Sequence, residues 1–272
     1  MTRATAPAKL NLGLVVGPVR PDGKHEVTTI LQRIDLVDRV SLEPAPELRV
    51  EGFPDDTLVR RALEALAEAA GVEARWAARI WKRIPIAAGL GGGSSDAATA
   101  LRLANATLVR PLPAEELESL AATLGADVPF FLRDGPQLGE GDGSELSPVR
   151  LPQDFWVVVV LPEGAWKPST AAVYEAFDRR GGERGSPARR AALLEALERV
   201  RRPRELAELP PNDLASSPLS AELLAAGAFR ADVTGAGPAV YGLFHNRRSA
   251  EAGRQRVAPR GRAWLTVPAW YG

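Results

Sequence analysis

The most informative stretch of the chain is residues 84–100, Ile84-Pro-Ile-Ala-Ala-Gly-Leu-Gly-Gly-Gly-Ser-Ser-Asp-Ala-Ala-Thr-Ala100. Four glycines lead into two serines and then into an alanine-rich pattern that predicts a helix. Glycine lets the backbone turn its N–H groups inward and lets a ligand approach closely. A helix N-terminus behind the loop adds unpaired N–H groups and a partial positive charge. The stretch therefore favours a cradle for an anion such as phosphate, and the alternative is a simple strand-to-helix connection.

This loop matches neither of the two common phosphate-binding loops. A P-loop requires lysine directly after its last glycine, whereas Ser94 follows Gly93 in this chain. The dinucleotide-binding fingerprint requires glycine or alanine five positions after its first glycine, and that count from Gly89 also reaches Ser94. The sequence therefore predicts a third type of phosphate loop.

Composition excludes several classes of protein. The 272 residues suit one large or two small domains, and a net charge of zero argues against nucleic-acid and membrane partners. The absence of cysteine excludes disulfides and thiolate metal sites, and two histidines make a histidine-rich metal centre unfavourable. The N-terminus does not resemble a secretion signal, and no run of about twenty apolar residues occurs. We therefore expect a soluble, cytoplasmic protein.

Lysine is rare in this chain. Only four of its 34 basic residues are lysines, namely Lys9, Lys24, Lys82 and Lys167. A compact ammonium group suits different sites from the planar guanidinium of arginine. Each lysine is therefore a modest candidate for a specific chemical role, although a few would remain by chance.

The hydrophobic pattern predicts two domains, 1–150 and 151–272, with their boundary in the Gly- and Pro-rich segment 135–150. Strands are predicted at 10–16, 74–84 and 155–161, extended segments at 27–42, and two strands joined by a glycine turn at 232–244. The strand at 155–161 is a continuous apolar run, which is typical of burial on both faces. Helices are predicted at 57–70, from about 95 to 106, from Pro113 to Gly125, at 188–200 and at 221–226. Residues 179–190, rich in arginine and glycine, are predicted to form an exposed loop.

Three further motifs, read together with the glycine loop, point to a known family. They are Pro7-Ala-Lys-Leu-Asn-Leu12, Leu124-Gly-Ala-Asp-Val-Pro-Phe-Phe131 and Thr234-Gly-Ala-Gly-Pro238. Their order and spacing resemble those of the small-molecule kinases of the GHMP superfamily. The resemblance implies an α/β (α+β) fold of two domains, with the active site in the cleft between them. The N-terminal domain would resemble the second domain of ribosomal protein S5, and the C-terminal domain would be α/β.

The resemblance also implies a catalytic pair and a cofactor site. Asp127 would act as the base near the attacking hydroxyl, although an aspartate at this place can also be a turn residue. Lys9 would keep Asp127 ionised and offset charge on the transferred group. The cofactors would be ATP and Mg2+, with Ser95 near the metal or the phosphates. The residues expected to bind ATP are Pro85, Ala87, Ala88, Gly89, Leu90, Gly91, Gly92, Gly93, Ser94 and Ser95.

Three motifs, Pro7-Ala-Lys-Leu-Asn-Leu12, Asp22-Gly-Lys-His25 and Leu124-Gly-Ala-Asp-Val-Pro129, narrow the resemblance to one branch of the superfamily. The substrate that this resemblance implies is a diphosphocytidyl sugar alcohol of non-mevalonate isoprenoid synthesis, phosphorylated on its 2-hydroxyl. The residues expected to bind it are Asn11, Lys24, His25, Tyr174, Gly235 and Gly237. The kinases of this substrate usually have Asp-Gly-Tyr-His, whose tyrosine stacks on cytosine, whereas this chain has Asp22-Gly-Lys-His25. Lys24 therefore removes one aromatic face, while Tyr174 would supply the other.

Several alternatives remain open at this point. Another GHMP kinase, of the homoserine or mevalonate type, would share the loop, and so would a non-catalytic nucleotide sensor on the same fold. The resemblance gives Trp81-Lys82-Arg83 a place near the adenine, and Asn212-Asp213 fits the family pattern but is also a common turn. We expect a monomer or a weak homodimer.

Overall fold

A computed structural model describes residues 1–53, 57–165 and 169–269 of the chain. Within this described part, the strands are β1 (Thr2–Val19), β2 (His25–Pro44), β3 (Arg49–Glu51), β4 (Trp76–Trp81), β5 (Gln137–Glu140), β6 (Glu145–Pro148), β7 (Trp156–Pro162), β8 (Arg230–Val233), β9 (Val240–Phe244) and β10 (Gly261–Thr266). The helices are α1 (Thr57–Ala70), α2 (Gly92–Asn105), α3 (Ala114–Leu124), α4 (Thr170–Arg179), α5 (Ser186–Arg199), α6 (Pro218–Ala225) and α7 (Arg247–Val257). Short 3-10 helices cover Pro129–Leu132, Pro203–Glu208 and Ala258–Arg260. None of the helices in these described ranges has the length and apolarity needed to cross a membrane.

The chain forms two compact units that interleave along the sequence. The first unit comprises Met1–Ala8, Leu36–Ile86 and Gly91–Asp134. The second comprises Lys9–Asp35, Ala87–Leu90 and the described residues from Gly135 onward. β1 and β2 contribute residues to both units, because the division between the units falls within each of these strands. The consecutive domains predicted from the sequence, 1–150 and 151–272, stay a prediction.

The first unit is built on a small sheet covered by helices. β4 pairs antiparallel with the end of β2, with Arg39 opposite Trp81, and β3 pairs parallel with β4. Trp76, Ala78 and Ile80 are buried on one face of β4, which confirms the alternating pattern of the predicted strand. α1 packs against α2 and α3. The chain leaves β4 directly toward the glycine loop, which begins α2.

The second unit contains an antiparallel sheet in the order β10-β7-β9-β8. Residues 157–160 of β7 are fully buried, which confirms the prediction of a strand covered on both faces. α6 and α7 pack against this sheet. A hairpin of β5 and β6 pairs with residues 29–31 of β2 and lies within the segment predicted as a domain boundary.

The prediction of an exposed loop over 179–190 was wrong in its second half. The loop ends at Gly185, which is the N-cap of α5 and has a left-handed φ of 73°. α5 itself begins at Ser186. Pro187 lies in the first turn, where its missing N–H leaves no acceptor unsatisfied and its fixed φ suits a helix. The glycine and proline signals therefore outweighed the arginine-rich composition of the segment.

Candidate active site

The first part of the glycine loop, Ala87–Leu90, is hydrogen-bonded on both sides within the second unit. The backbone N–H of Lys9 donates to the carbonyl of Leu90 at 2.9 Å, and the N–H of Ala239 donates to the carbonyl of Ala88 at 3.0 Å. Gly89 has a φ of 84°, and a Cβ at this position would lie 2.3 Å from the carbonyl oxygen of Thr234. Only glycine fits here, because both the left-handed backbone and the close approach exclude a side chain.

The second part of the loop starts α2 in the first unit. Gly91, with a φ of 69°, is the N-cap, and the N–H of Ser95 donates to its carbonyl at 2.9 Å. The N–H groups at the start of a helix have no intrahelical acceptor, so those of Gly92, Gly93 and Ser94 can serve an anion. The helix begins at Gly92, three residues earlier than the sequence predicted. This geometry favours the anion cradle over a simple connection.

Ser95 has the properties expected of a group that awaits a ligand. Its side chain is fully buried, and its Oγ has no hydrogen-bond partner within the described residues. A buried hydroxyl without a partner is unfavourable unless a ligand or water satisfies it. The described ranges contain no cluster of three or more His, Asp or Glu residues that could hold a metal by themselves. A single serine hydroxyl as the protein ligand fits Mg2+, which commonly keeps water ligands and binds through substrate phosphates.

Lys9 and Asn11 form a buried polar chain on one face of β1. Lys9 is 4% exposed, and its Nζ donates to Asn11 Oδ1 at 2.5 Å. Asn11 Nδ2 donates to Thr29 Oγ1 at 2.8 Å, and that hydroxyl donates to the carbonyl of Gly13 at 2.8 Å. Because Thr29 accepts from the amide nitrogen, the amide oxygen of Asn11 is turned toward Lys9. Sequence analysis missed Thr29, although a buried threonine opposite Asn11 on the neighbouring strand was a possible signal.

The loop Thr234–Pro238 lies against this polar chain in the second unit. The N–H of Asn11 donates to Thr234 Oγ1 at 3.1 Å. Gly235 has a φ of 55°, and a Cβ there would lie 3.2 Å from both Lys9 Nζ and Asn11 Oδ1. Gly237 closes the turn by donating its N–H to the carbonyl of Thr234 at 2.9 Å. The two predicted glycines therefore bring the backbone to within contact distance of Lys9.

Asn212 and Asp213, given little weight from the sequence, hold this region together. Asn212 Nδ2 donates to the carbonyl of Gly235 at 2.7 Å and to that of Val233 at 2.9 Å. Asp213 Oδ2 accepts the N–H of Val16 at 2.9 Å. The pair thus links the glycine turn to β1 within the second unit and is more than an isolated turn.

Asp127 lies in a tight turn of the first unit. α3 ends at Leu124, as the Gly125 stop predicts, and the N–H of Val128 donates to the carbonyl of Gly125 at 3.0 Å. Pro129 then opens a 3-10 helix whose Phe130 side chain is fully buried. Asp127 itself is half-buried. The turn and the buried residues after it fix the backbone at Asp127, and the direction of its carboxylate stays a prediction.

His25 and Tyr174 lie together in the second unit. Their rings stack with centroids 5.0 Å apart and an interplanar angle of 25°, and the edge of Phe177 completes the cluster. His25 Nδ1 lies 2.9 Å from the carbonyl of Gly17, so this nitrogen carries the proton and donates it. His25 Nε2 lies 3.3 Å from Asp178 Oδ1. Sequence analysis missed Asp178, which lies four residues after Tyr174 and therefore on the same face of α4.

Lys24 differs from its neighbour His25 because it points to the surface. Its side chain is 59% exposed and forms an ion pair with Asp142 in the same unit. Burial raises the pKa of Asp142, but hydrogen bonds from Lys24 and Ser144 outweigh it, so the net pKa lies below its usual value. Lys24 supplies charge and no aromatic face at this place. Lys167, the fourth lysine of the chain, lies outside the described residues.

Comparison with known proteins agrees with this geometry. Residues 57–135 match the family model described as the GHMP kinases N terminal domain, and residues 193–262 match the GHMP kinases C terminal domain. The chain belongs to the GHMP kinases, and it is an ATP-dependent small-molecule kinase with their two-domain α/β fold.

Three individual proteins illustrate the similarity. The 4-diphosphocytidyl-2-C-methyl-D-erythritol kinase of Geobacter sulfurreducens is 38% identical over 279 residues, which cover 96% of each chain. A crystal structure of 4-(cytidine 5'-diphospho)-2C-methyl-D-erythritol kinase is 32% identical, with a TM-score of 0.81 over 99% of this chain and 100% of the other. The mevalonate kinase of Methanococcus jannaschii has a TM-score of 0.80 over 99% and 98% of the two chains, but its identity of 14% shows the fold alone.

Proposed function

We propose that this kinase transfers the γ-phosphoryl group of ATP to the 2-hydroxyl of 4-diphosphocytidyl-2-C-methyl-D-erythritol, in the non-mevalonate route to isoprenoid precursors. The similarity to enzymes of that name over nearly the whole chain supports this substrate. The observation that carries the chemistry is the buried ammonium of Lys9, held by Asn11 beside Gly235. We also propose a cytoplasmic location and a monomeric or weakly dimeric state.

The roles of the residues follow from the chemistry of phosphoryl transfer. This reaction needs positioning and charge stabilisation more than covalent chemistry. Asp127 accepts the proton of the substrate hydroxyl, and Lys9 stabilises negative charge on the transferred group. The N–H groups of Gly92, Gly93 and Ser94 bind phosphate oxygens, and the rest of the predicted loop shapes their approach.

The proposed metal is Mg2+ bound to the phosphates of ATP, with the Ser95 hydroxyl as its protein ligand. Mg2+ supplies charge that neutralises the phosphate oxygens. The buried Oγ of Ser95, which has no hydrogen-bond partner among the described residues, supports this assignment.

The acceptor site uses the cluster of His25 and Tyr174. The rings of His25 and Tyr174 stack on each other, and base–aromatic stacking contributes about 1–3 kcal/mol per base. His25 Nδ1 donates to Gly17, so in the neutral ring Nε2 can accept a hydrogen bond from an exocyclic amine such as that of cytosine. Asn11 contacts the acceptor beside Lys9.

A panel of acceptors tests this function. Purified protein with ATP and Mg2+ is assayed with the diphosphocytidyl alcohol, its diphosphouridyl analogue, mevalonate and homoserine. We expect ADP formation with the first acceptor and at least about tenfold lower kcat/KM with the uridyl analogue, because uracil lacks the amine that donates a hydrogen bond to His25. Phosphoryl transfer to mevalonate or homoserine, and not to the diphosphocytidyl alcohol, would overturn the proposed identity of the acceptor. Binding of ATP and acceptor without transfer, unchanged by Asp127→Ala, would favour a sensor.

A further inference from the structure

Lys82 belongs to a buried charge cluster in the first unit that the proposed chemistry does not use. Its Nζ donates to Asp38 Oδ2 at 2.5 Å and to Asp96 Oδ2 at 2.6 Å. Both aspartate side chains are fully buried, and that of Lys82 is 15% exposed. Fully buried carboxylates are unfavourable unless they are paired and hydrogen-bonded. Lys82 therefore has a defined structural place and does not extend from the surface as an ordinary lysine would.

The cluster joins both ends of the glycine loop to the sheet. Asp38 Oδ1 accepts the N–H groups of Arg83 at 2.5 Å and Ile84 at 2.9 Å, which fixes the chain where it enters the loop. Asp96 directly follows Ser95 in the first turns of α2, so its ion pair with Lys82 fixes the chain where it leaves the loop. Lys82 connects these two carboxylates. A Cβ on Gly92 would also lie 3.3 Å from Lys82 Nζ, so the ammonium reaches the start of the helix.

The ammonium group suits this place better than a guanidinium would. It is a compact charge whose donors can turn toward two separate carboxylates, whereas arginine presents a larger planar fork. Burial lowers the pKa of Lys82, but Asp96 and Asp38 outweigh that effect, so the net pKa lies above its usual value. Lys82 is therefore charged throughout the physiological pH range.

We propose that Lys82 is a positioning residue for ATP, and that its paired contacts to Asp38 and Asp96 hold the α2 N–H groups and Ser95 in the geometry that binds phosphate. Lys82 acts through the loop and makes no contact with the nucleotide in this role. The proposal rests on the proposed phosphate site of the loop and adds the element that orients it. Removal of the ammonium leaves two buried carboxylates close together, and their repulsion displaces α2 relative to the loop entrance.

The test compares substitutions at both ends of the cluster. Lys82→Met removes the charge, Lys82→Arg keeps it, and Asp38→Asn leaves Lys82 in place while it breaks the connection. Arg79→Met is the matched control. Arg79 lies on β4, which ends just before Lys82, and this substitution removes an exposed ion pair with Glu51. The measurements are KM for ATP, KM for the acceptor, kcat, and the affinity of a fluorescent ATP analogue, each well below the melting temperature.

We expect Lys82→Met to raise the KM for ATP by about tenfold or more and to leave the KM for the acceptor within about twofold, because small displacements of binding groups have large effects. Asp38→Asn should raise the KM for ATP in the same direction, Lys82→Arg should recover part of the loss, and Arg79→Met should change nothing.

Two results would overturn the proposal. One is an unchanged KM for ATP in folded Lys82→Met or, if that variant does not fold, in Asp38→Asn. The other is a raised KM in Lys82→Met together with a normal KM in Asp38→Asn, which would show direct contact between Lys82 and the nucleotide. If the wild-type protein transfers no phosphoryl group, the proposed function fails, and the affinity for the ATP analogue still decides the role of Lys82.

Discussion

Lys9 is buried and Lys82 is largely buried, but the two lysines lie in different surroundings. Lys82 lies between two carboxylates of the first unit and pairs with both of them. Lys9, in the second unit, donates to the amide oxygen of Asn11, which fixes the position of the ammonium. The comparison teaches that two lysines of one chain can be fixed in different ways: Lys82 bridges two carboxylates at the start of a helix, and Lys9 is oriented by an amide beside the turn at Gly235.

The largest expected effect is that of Lys9→Met on catalysis. Removal of one group that stabilises transition-state charge typically lowers kcat by about 100- to 1,000-fold. The methionine keeps most of the side-chain volume, so the melting temperature should change little. Steady-state kinetics at saturating ATP and acceptor, together with a thermal melt, measure both quantities. A kcat within about fivefold of wild type would contradict the role of Lys9 in charge stabilisation.

The next effect is that of Lys82→Met on stability. Removal of one member of a buried ion pair destabilises a protein by about 3–5 kcal/mol, since it leaves uncompensated buried charge. Because the pKa of Lys82 is raised by folding, its contribution is complete below the unfolded value of about 10.4 and is lost as pH rises through the folded value. Denaturant titrations of wild type and variant from pH 7 to 11 should show a constant difference that shrinks only above about pH 10. A difference that shrinks between pH 7 and 9 would contradict this account.

A smaller effect is expected at Thr29, which orients the partner of Lys9. Thr29→Val keeps the shape of the side chain and removes the hydroxyl that accepts from Asn11 Nδ2. We expect kcat to fall by about tenfold with an unchanged KM for ATP, because a buried amide donor loses its partner and Asn11 turns. Thr29→Ser, which keeps the hydroxyl, should retain most of the activity. Equal losses in the two variants would show that packing of the methyl group matters instead.

The smallest effect concerns Lys24, the exposed lysine. Lys24→Tyr restores an aromatic face and removes an ion pair with Asp142 that, as an exposed pair, contributes at most about 1 kcal/mol. We expect the KM for the diphosphocytidyl acceptor to fall by up to about tenfold, while kcat stays the same, because stacking adds binding energy only. Lys24→Leu, apolar but not aromatic, is the control. An unchanged KM in Lys24→Tyr would exclude stacking at this position.

Local patterns were sufficient to predict much of the fold. The alternation of Trp76, Ala78 and Ile80 predicted β4, and the glycines and serines after it predicted a loop at the start of a helix. Such signals depend on residues close in sequence. The segment 179–190 shows the limit of composition, because Gly185 and the proline after it start α5 among the arginines.

The parts of the site that escaped prediction depend on contacts between distant residues. Lys82 and Asp38 are 44 positions apart, and Asn11 and Thr29 are 18 positions apart. No spacing rule links them, since strand pairing alone brings them together. The predicted roles of Lys9 and Asp127 rest on family resemblance, and their position in a cleft between two domains stays a prediction.

The most direct test of the contrast between the two buried lysines is the single-turnover rate of phosphoryl transfer, measured by rapid quench at saturating ATP. We predict that Lys9→Met slows this rate by at least about 100-fold, because saturation cannot replace transition-state stabilisation. We predict that Lys82→Met stays within about fivefold of wild type, because saturating ATP overcomes weak binding. Equal losses in both variants, or a wild-type rate in Lys9→Met, would contradict the account.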